Sequence, residues 1–184
     1  MALLPADLPE PSDDGAGNHL PGKRLPPVAL PATDGSSVDL ASLGGRSVVY
    51  AYPRTGPPGE PELLPDWDLI PGARGCTEEA CSFRDHHSEL EGLGARVFGL
   101  SPQTTAEQLE LVDRVDLPFA ILSDSGLELT RALELPTFKA AGYTLLKRHT
   151  LIVTEGTVEH VLYPVFPPDT HAEEVQLWLS AQPR

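Results

Sequence analysis

The chain has 184 residues, 40% of them hydrophobic, which suffices for one domain with a substantial core. A formal charge of −14 argues against nucleic acid and anionic membrane as partners, and no apolar run approaches the length of a membrane span. The stretch from Met1 to Asp7 lacks the basic and long apolar regions of a signal peptide, so a cytoplasmic location is expected.

Residues 1–27 are rich in Pro, Gly, Asp and Ala without periodicity. They are expected to form a poorly ordered arm, extended near Pro26 and Pro27, ahead of a single domain over 28–184. Val28 to Leu30, a turn at Asp34-Gly35 and Val38 to Leu40 predict a short hairpin, because Asp-Gly suits the positive φ of such turns. Ser47 to Tyr52 is apolar and β-branched enough for a buried central strand. Between Pro53 and Gly75 the chain carries six prolines and four glycines, a long loop of the kind that is functional or disordered. Its middle, Asp66 to Ile70, fits a lid or a surface ornament equally well.

The only two cysteines follow, Cys76 and Cys81, five positions apart. Residues 77–93 predict one helix. Thr77, Glu78 and Glu79 suit its first turn, where acidic groups complement the dipole, and Ala80, Phe83, His87 and Leu90 recur as an inner face. Cys76 then sits at a helix N-terminus, with Arg74 close by, a setting that favours the thiolate. Cys81, inside the helix, reads from the residues alone as a small buried apolar residue. In a cytoplasmic protein two close cysteines point to catalysis or redox sensing more than to a structural staple. Zinc is a weaker alternative, since the six histidines show no ligand-like spacing to the thiols. His86 and His87 read as helix surface and face. Gly92-Leu93-Gly94 closes a helix and is a cap, not a phosphate loop.

Ala95 to Ser101 is the next strand, so a strand-helix-strand unit with parallel pairing brackets Cys76. Thr105 to Val115 is an amphipathic helix opened by Thr104 or Thr105. Phe119 to Ser123 is a short strand and Gly126 to Leu133 a short helix. Leu135-Pro136-Thr137-Phe138 reads as a turn, although a cis-proline there would favour a thiol-disulfide oxidoreductase. His149 to Val153 and Thr157 to Tyr163 form a hairpin about Glu155-Gly156. Asp169-Thr170 caps a last helix through Ser180, with Val175, Trp178 and Leu179 inward. Alternating strands and helices closed by a hairpin give an α/β sandwich with a central mixed sheet flanked by helices, and a cysteine at the helix after the first central strand is the layout of a thioredoxin-like domain.

Gly75-Cys76-Thr77-Glu78-Glu79-Ala80-Cys81-Ser82-Phe83-Arg84-Asp85 resembles the active-site stretch of peroxiredoxins of the bacterioferritin-comigratory, or Q-type, subfamily. The resemblance runs from about Val28 to Leu179. It includes Ser47 to Pro53, Phe98 to Ser101, Leu117 to Asp124 and Lys147 to Val153, in the family's order. It implies a thiol peroxidase in which Cys76 is the peroxidatic cysteine, Cys81 resolves it as an intramolecular disulfide, and Arg148 pairs with the thiolate. It also implies a hydroperoxide substrate, a thioredoxin-like reductant, a monomer or weak homodimer, and no metal, nucleotide or flavin cofactor. From the residues alone Arg148 reads as a solvated strand-edge charge, with Arg74, Arg84 and Arg131 as other cations. One departure stands out. Where the family places a proline and a threonine, seven and three residues before the peroxidatic cysteine, this chain has Leu69 and Ala73. Residues 54–75 then read as an insertion, and Thr55 would supply the hydroxyl if the loop folds back beside Cys76. The missing threonine and the insertion favour a rival reading, a redoxin-fold redox sensor or interaction protein with little peroxidase turnover, beside the thiol-disulfide oxidoreductase that a cis-proline would favour.

Overall fold

The structure is a computed structural model that describes residues 4, 5 and 7–182. The elements in chain order are β1 (Ala29–Pro31), β2 (Ser37–Asp39), β3 (Arg46–Ala51), α1 (Cys76–Asp85), α2 (His87–Gly92), β4 (Ala95–Ser101), α3 (Thr105–Val115), β5 (Ile121–Ser123), α4 (Glu128–Leu133), β6 (Thr137–Ala140), β7 (Tyr143–Leu146), β8 (His149–Thr154), β9 (Thr157–Leu162) and α5 (His171–Ser180). Five strands form one sheet in the order β5-β4-β3-β8-β9. β3, β4 and β5 run parallel, while β8 pairs antiparallel with both β3 and β9. β1–β2 and β6–β7 are separate antiparallel hairpins.

β3 lies at the centre because both its faces are apolar. Successive side chains of a strand point to opposite sides. Val48 and Tyr50 accordingly enter the core that holds Phe83 of α1, Leu90 of α2, Leu111 of α3 and Val175 and Leu179 of α5. Val49 and Ala51 enter the other, with Leu30, Leu129, Leu133 and Leu151. The rings of Tyr50 and Phe83 stack at 4.3 Å between centroids, which fixes α1 against the sheet. This is the mixed-sheet sandwich with thioredoxin-like layout that the alternation of elements predicts.

Several expectations are corrected. The single helix over 77–93 is two, because the chain turns at His86 (φ −103°, ψ 8°), whose ring lies 2.9 Å from the Ser82 carbonyl and competes with the helical ladder. The turn at Leu135–Phe138 leads into the β6–β7 hairpin, which apolar spacing alone did not reveal. Its reversal uses Ala141 and Gly142 at φ 47° and 83°. No side-chain cap opens α5, and Pro168–Thr170 form a 3₁₀ turn instead. Thr104 does cap α3, in a reciprocal box with Glu107.

Residues 1–3 and 6 of the N-terminal arm lie outside the described residues. The rest carries little regular structure but is fastened to the sheet. Leu20 and Leu25 are buried, Arg24 bridges to Thr157, and Gly22 and Leu25 donate backbone hydrogen bonds to Val158 and Gly156. The 54–75 insertion packs down. Trp67, in a 3₁₀ turn, is buried with Ala73, Ala140 and Leu145, so the β6–β7 hairpin anchors it.

Candidate active site

Four chain segments meet where the parallel strands end, the usual place for a site in such sheets. Thr55 follows β3, Gln103 follows β4, Arg148 precedes β8, and Cys76 opens α1. Cys76 is the first residue of that helix because Gly75 enters it with φ 98°, a left-handed conformation glycine adopts without strain. No side chain caps the helix, and Thr77 belongs to its first turn as expected.

Arg148 is the cation at the sulfur. Its Nη2 donates to Cys76 Sγ at 3.3 Å, to the Arg74 carbonyl at 3.1 Å and to the Gly72 carbonyl at 3.3 Å. It is 2% exposed and precedes a strand held between two others, so its reading as a solvated edge charge is corrected. The other arginines are engaged elsewhere: Arg74 with Glu62 and Asp68, Arg84 with Asp85 and the Val115 carbonyl, and Arg131 with the Gly126 carbonyl.

Glu79 changes role. Expected to serve the helix dipole from the surface, it is fully buried, pairing with Arg148 Nη1 through Oε2 and lying 2.8 Å from His171 Nδ1 through Oε1. A buried arginine and carboxylate at this depth are each stable only because the other is present. Neither Glu79 nor His171 carries a sequence signal for this position, since one looks like a first-turn acid and the other like a surface residue at the start of α5.

The start of the insertion lies along the same cavity as Cys76. Gln103 grips the Thr55 backbone with two hydrogen bonds, accepting from its N–H at 2.8 Å and donating to its carbonyl at 2.9 Å. The backbone N–H of the neighbouring Arg54 favours the Cys76 thiolate as a minor contribution. Thr55 Oγ1 is buried with no hydrogen-bond partner among the described residues. Thr55, Cys76 and Cys81 line one open cavity of about 710 Å³, roofed by residues 56–63 of the insertion. Ala73 presents only its carbonyl, 3.5 Å from Cys76 Sγ.

Electrostatically the site is a balance. Burial pushes the Cys76 thiol up and Glu79 adds to this, while Arg148 and the Arg54 N–H pull it down. The expectation that the helix start and Arg74 favour the thiolate is corrected, because desolvation is the largest effect and Arg148, not Arg74, is what opposes it. Burial also pushes the Cys81 thiol up, against the pull of Arg84. Both cysteines are free thiols. Among the described residues no group of three or more His, Cys, Asp or Glu side chains is placed to hold a metal ion.

The Redoxin family profile matches residues 20–176. The chloroplastic peroxiredoxin Q of Sedum lineare is 30% identical over 155 residues, covering 83% of this chain and 74% of that one. The chain belongs to the redoxin family, among the Q-type peroxiredoxins. The chloroplastic peroxiredoxin Q of rice (Oryza sativa subsp. japonica) is 31% identical over 155 residues, 83% of this redoxin, which spans 63% of that relative's length. In fold, this redoxin is similar to the peroxidoxin BcpB of Mycobacterium tuberculosis, with a TM-score of 0.72 at 24% identity, covering 90% of this chain and 99% of the other.

Proposed function

We propose that this protein is a thiol peroxidase that reduces hydrogen peroxide or organic hydroperoxides. The observation that carries it is the Arg148 guanidinium 3.3 Å from Cys76 Sγ, at the floor of a cavity shared with the unpartnered Thr55 hydroxyl and with Cys81. The Cys76 thiolate attacks one peroxide oxygen, the O–O bond breaks, and the electron pair leaves on the second oxygen, which takes a proton. Arg148 supports both the thiolate and the developing charge. The Thr55 hydroxyl, unpartnered among the described residues and lining the cavity of Cys76, supports a role for it in place of the threonine missing at position 73. The sulfenic acid on Cys76 then condenses with the Cys81 thiol, releasing water and forming the disulfide. A thioredoxin-like dithiol returns both to thiols and is itself oxidised. The acting unit is taken as a monomer or weak homodimer in the cytoplasm, where a reducing environment keeps both thiols free.

The test is peroxide consumption coupled to a thioredoxin system. Wild type should turn over. Cys76→Ser should be inactive. Cys81→Ser should consume one equivalent and stop, its Cys76 open to over-oxidation. Thr55→Val should lose about 10²-fold in rate, the usual effect of one oxyanion donor. No turnover in wild type, or full activity in Cys76→Ser, would overturn the assignment.

A further inference from the structure

Glu79 has two oxygens and two partners. Oε1 lies 2.8 Å from His171 Nδ1, and Oε2 meets Nη1 of Arg148. Because a carboxylate only accepts, His171 Nδ1 must be the donor. That division leaves Arg148 Nη2 for Cys76 Sγ and the carbonyls of Gly72 and Arg74. An arginine and a carboxylate otherwise prefer the bidentate fork, in which both amino groups face both oxygens. In that arrangement Nη2 would turn from the sulfur to Glu79. Something must hold the carboxylate out of the fork, and His171 is the group bonded to its second oxygen.

We propose that His171 is a positioning residue for the peroxide reaction, acting through Glu79 to keep one Arg148 amino group on Cys76. The proposal rests on the peroxidase reading for its use, but its geometry stands without it. The His171 ring is well placed for such a task. It is fully buried and packed edge-on to Phe83 at 5.2 Å, and the next residue, Ala172, donates its N–H to Ser82 Oγ at 3.3 Å. Two contacts therefore tie the start of α5 to the helix that carries Cys76. The ionisable groups around Glu79 and His171 are Arg148 and Cys76, His149 at the start of β8, Tyr50 of β3 and Tyr52 just after it. Burial keeps His149 neutral and both tyrosines protonated, so near neutral pH none of them competes for the carboxylate. His171 Nε2 is buried without a partner, which leaves its Nδ1 bond as the ring's one polar tie among the described residues.

The experiment titrates the Cys76 thiolate by its ultraviolet absorbance in the full chain carrying Cys81→Ser, where one thiol remains. Its single-turnover rate with hydrogen peroxide is followed across pH. His171→Phe keeps the ring against Phe83 and removes the donor. It should raise the thiol pKa by about one unit, shift the pH-rate profile by the same amount and slow the reaction about tenfold near neutral pH. His171→Asn, with an amide donor near the Nδ1 position, should restore the titration to within about twofold in thiolate fraction. In a Glu79→Gln background His171→Phe should leave the thiol pKa unchanged, because the group it acts through has gone. An unshifted titration in folded His171→Phe, or an equal shift in the Glu79→Gln background, would overturn the proposal. A variant that binds no peroxide yet shows the titration shift would instead fault the peroxidase reading and leave the positioning role standing.

Discussion

The Nη2 of Arg148 lies 3.3 Å from the Sγ of Cys76, across 72 positions of sequence. Among the described residues no other arginine side chain hydrogen-bonds that sulfur. The same guanidinium is the counterion of Glu79, so one buried cation meets both the sulfur and the carboxylate.

Arg148→Met should therefore do two things. With its main opposing charge gone, the Cys76 thiol should rise further, and the rate with peroxide at neutral pH should fall about tenfold for each unit of rise. Glu79 would be left buried with His171 alone, a loss on the order of 3–5 kcal/mol in stability. Thiolate titration and urea unfolding measure the two effects separately. Unchanged stability would mean that the carboxylate finds water or takes a proton at little cost.

The turn that starts the active-site helix is intolerant of a side chain. At φ 98° a Cβ on Gly75 would run into the Pro168 ring. Gly75→Ala adds left-handed strain of about 1–2 kcal/mol to that clash. Cys76 and the 3₁₀ turn before α5 should move apart, lowering the thermal midpoint and the peroxide rate together. A variant with both at wild-type level would show that Pro168 yields freely.

Acid should weaken the fold through His149. Burial holds its pKa down to about 4, against 6.5 for an ordinary imidazole. Between these values the unfolded chain binds a proton that the folded chain refuses, so stability is full above about pH 6.5 and falls as the pH drops towards 4. The shift is worth about 3 kcal/mol, a sizeable part of the 5–15 kcal/mol of a typical domain. Denaturant unfolding at pH 7 and pH 4.5 should show the loss, and His149→Gln should flatten it. An equal pH slope in the variant would assign the loss to other groups.

Disulfide formation must reshape α1. At helical rise and turn, Cα atoms five positions apart stand roughly 8–9 Å from each other, whereas a disulfide needs less than about 7 Å. Sequence alone makes the unwinding look inexpensive, as a helix end frays and Gly75 gives slack. The structure makes it costlier, because Glu79, Ser82 and Phe83 on the same turns are buried and bonded to Arg148, Ala172 and the core. On oxidation, amide exchange of residues 77–84 should quicken while Val48 to Ala51 stay protected. Unchanged protection in protein shown by mass to carry the Cys76–Cys81 bond would sink this expectation.

Much of this was written in local pattern. The unbroken apolar run through Val48 to Ala51 fixed a strand buried on both faces, and the Asp34-Gly35 and Glu155-Gly156 turns fixed two hairpins. The cysteine stretch named the helix that matters. Local pattern failed where the deciding partner is distant in sequence. Ala141-Gly142 is a weak turn signal, so the β6–β7 hairpin stayed hidden until Trp67 packed on it. A lone arginine before a strand, an acid in a first turn and a histidine at a helix start all resemble surface residues. Only closure of the sheet brings Arg148, Glu79 and His171 together out of water, where each must find a partner. Likewise Thr55 is just a residue in a Pro-rich loop until Gln103, from the end of another strand, grips its backbone. Residue type and spacing thus singled out Cys76 as the candidate reactive sulfur, because a helix start is a local feature. Its charge balance was decided by tertiary structure, because desolvation and ion pairing depend on what lies across the fold.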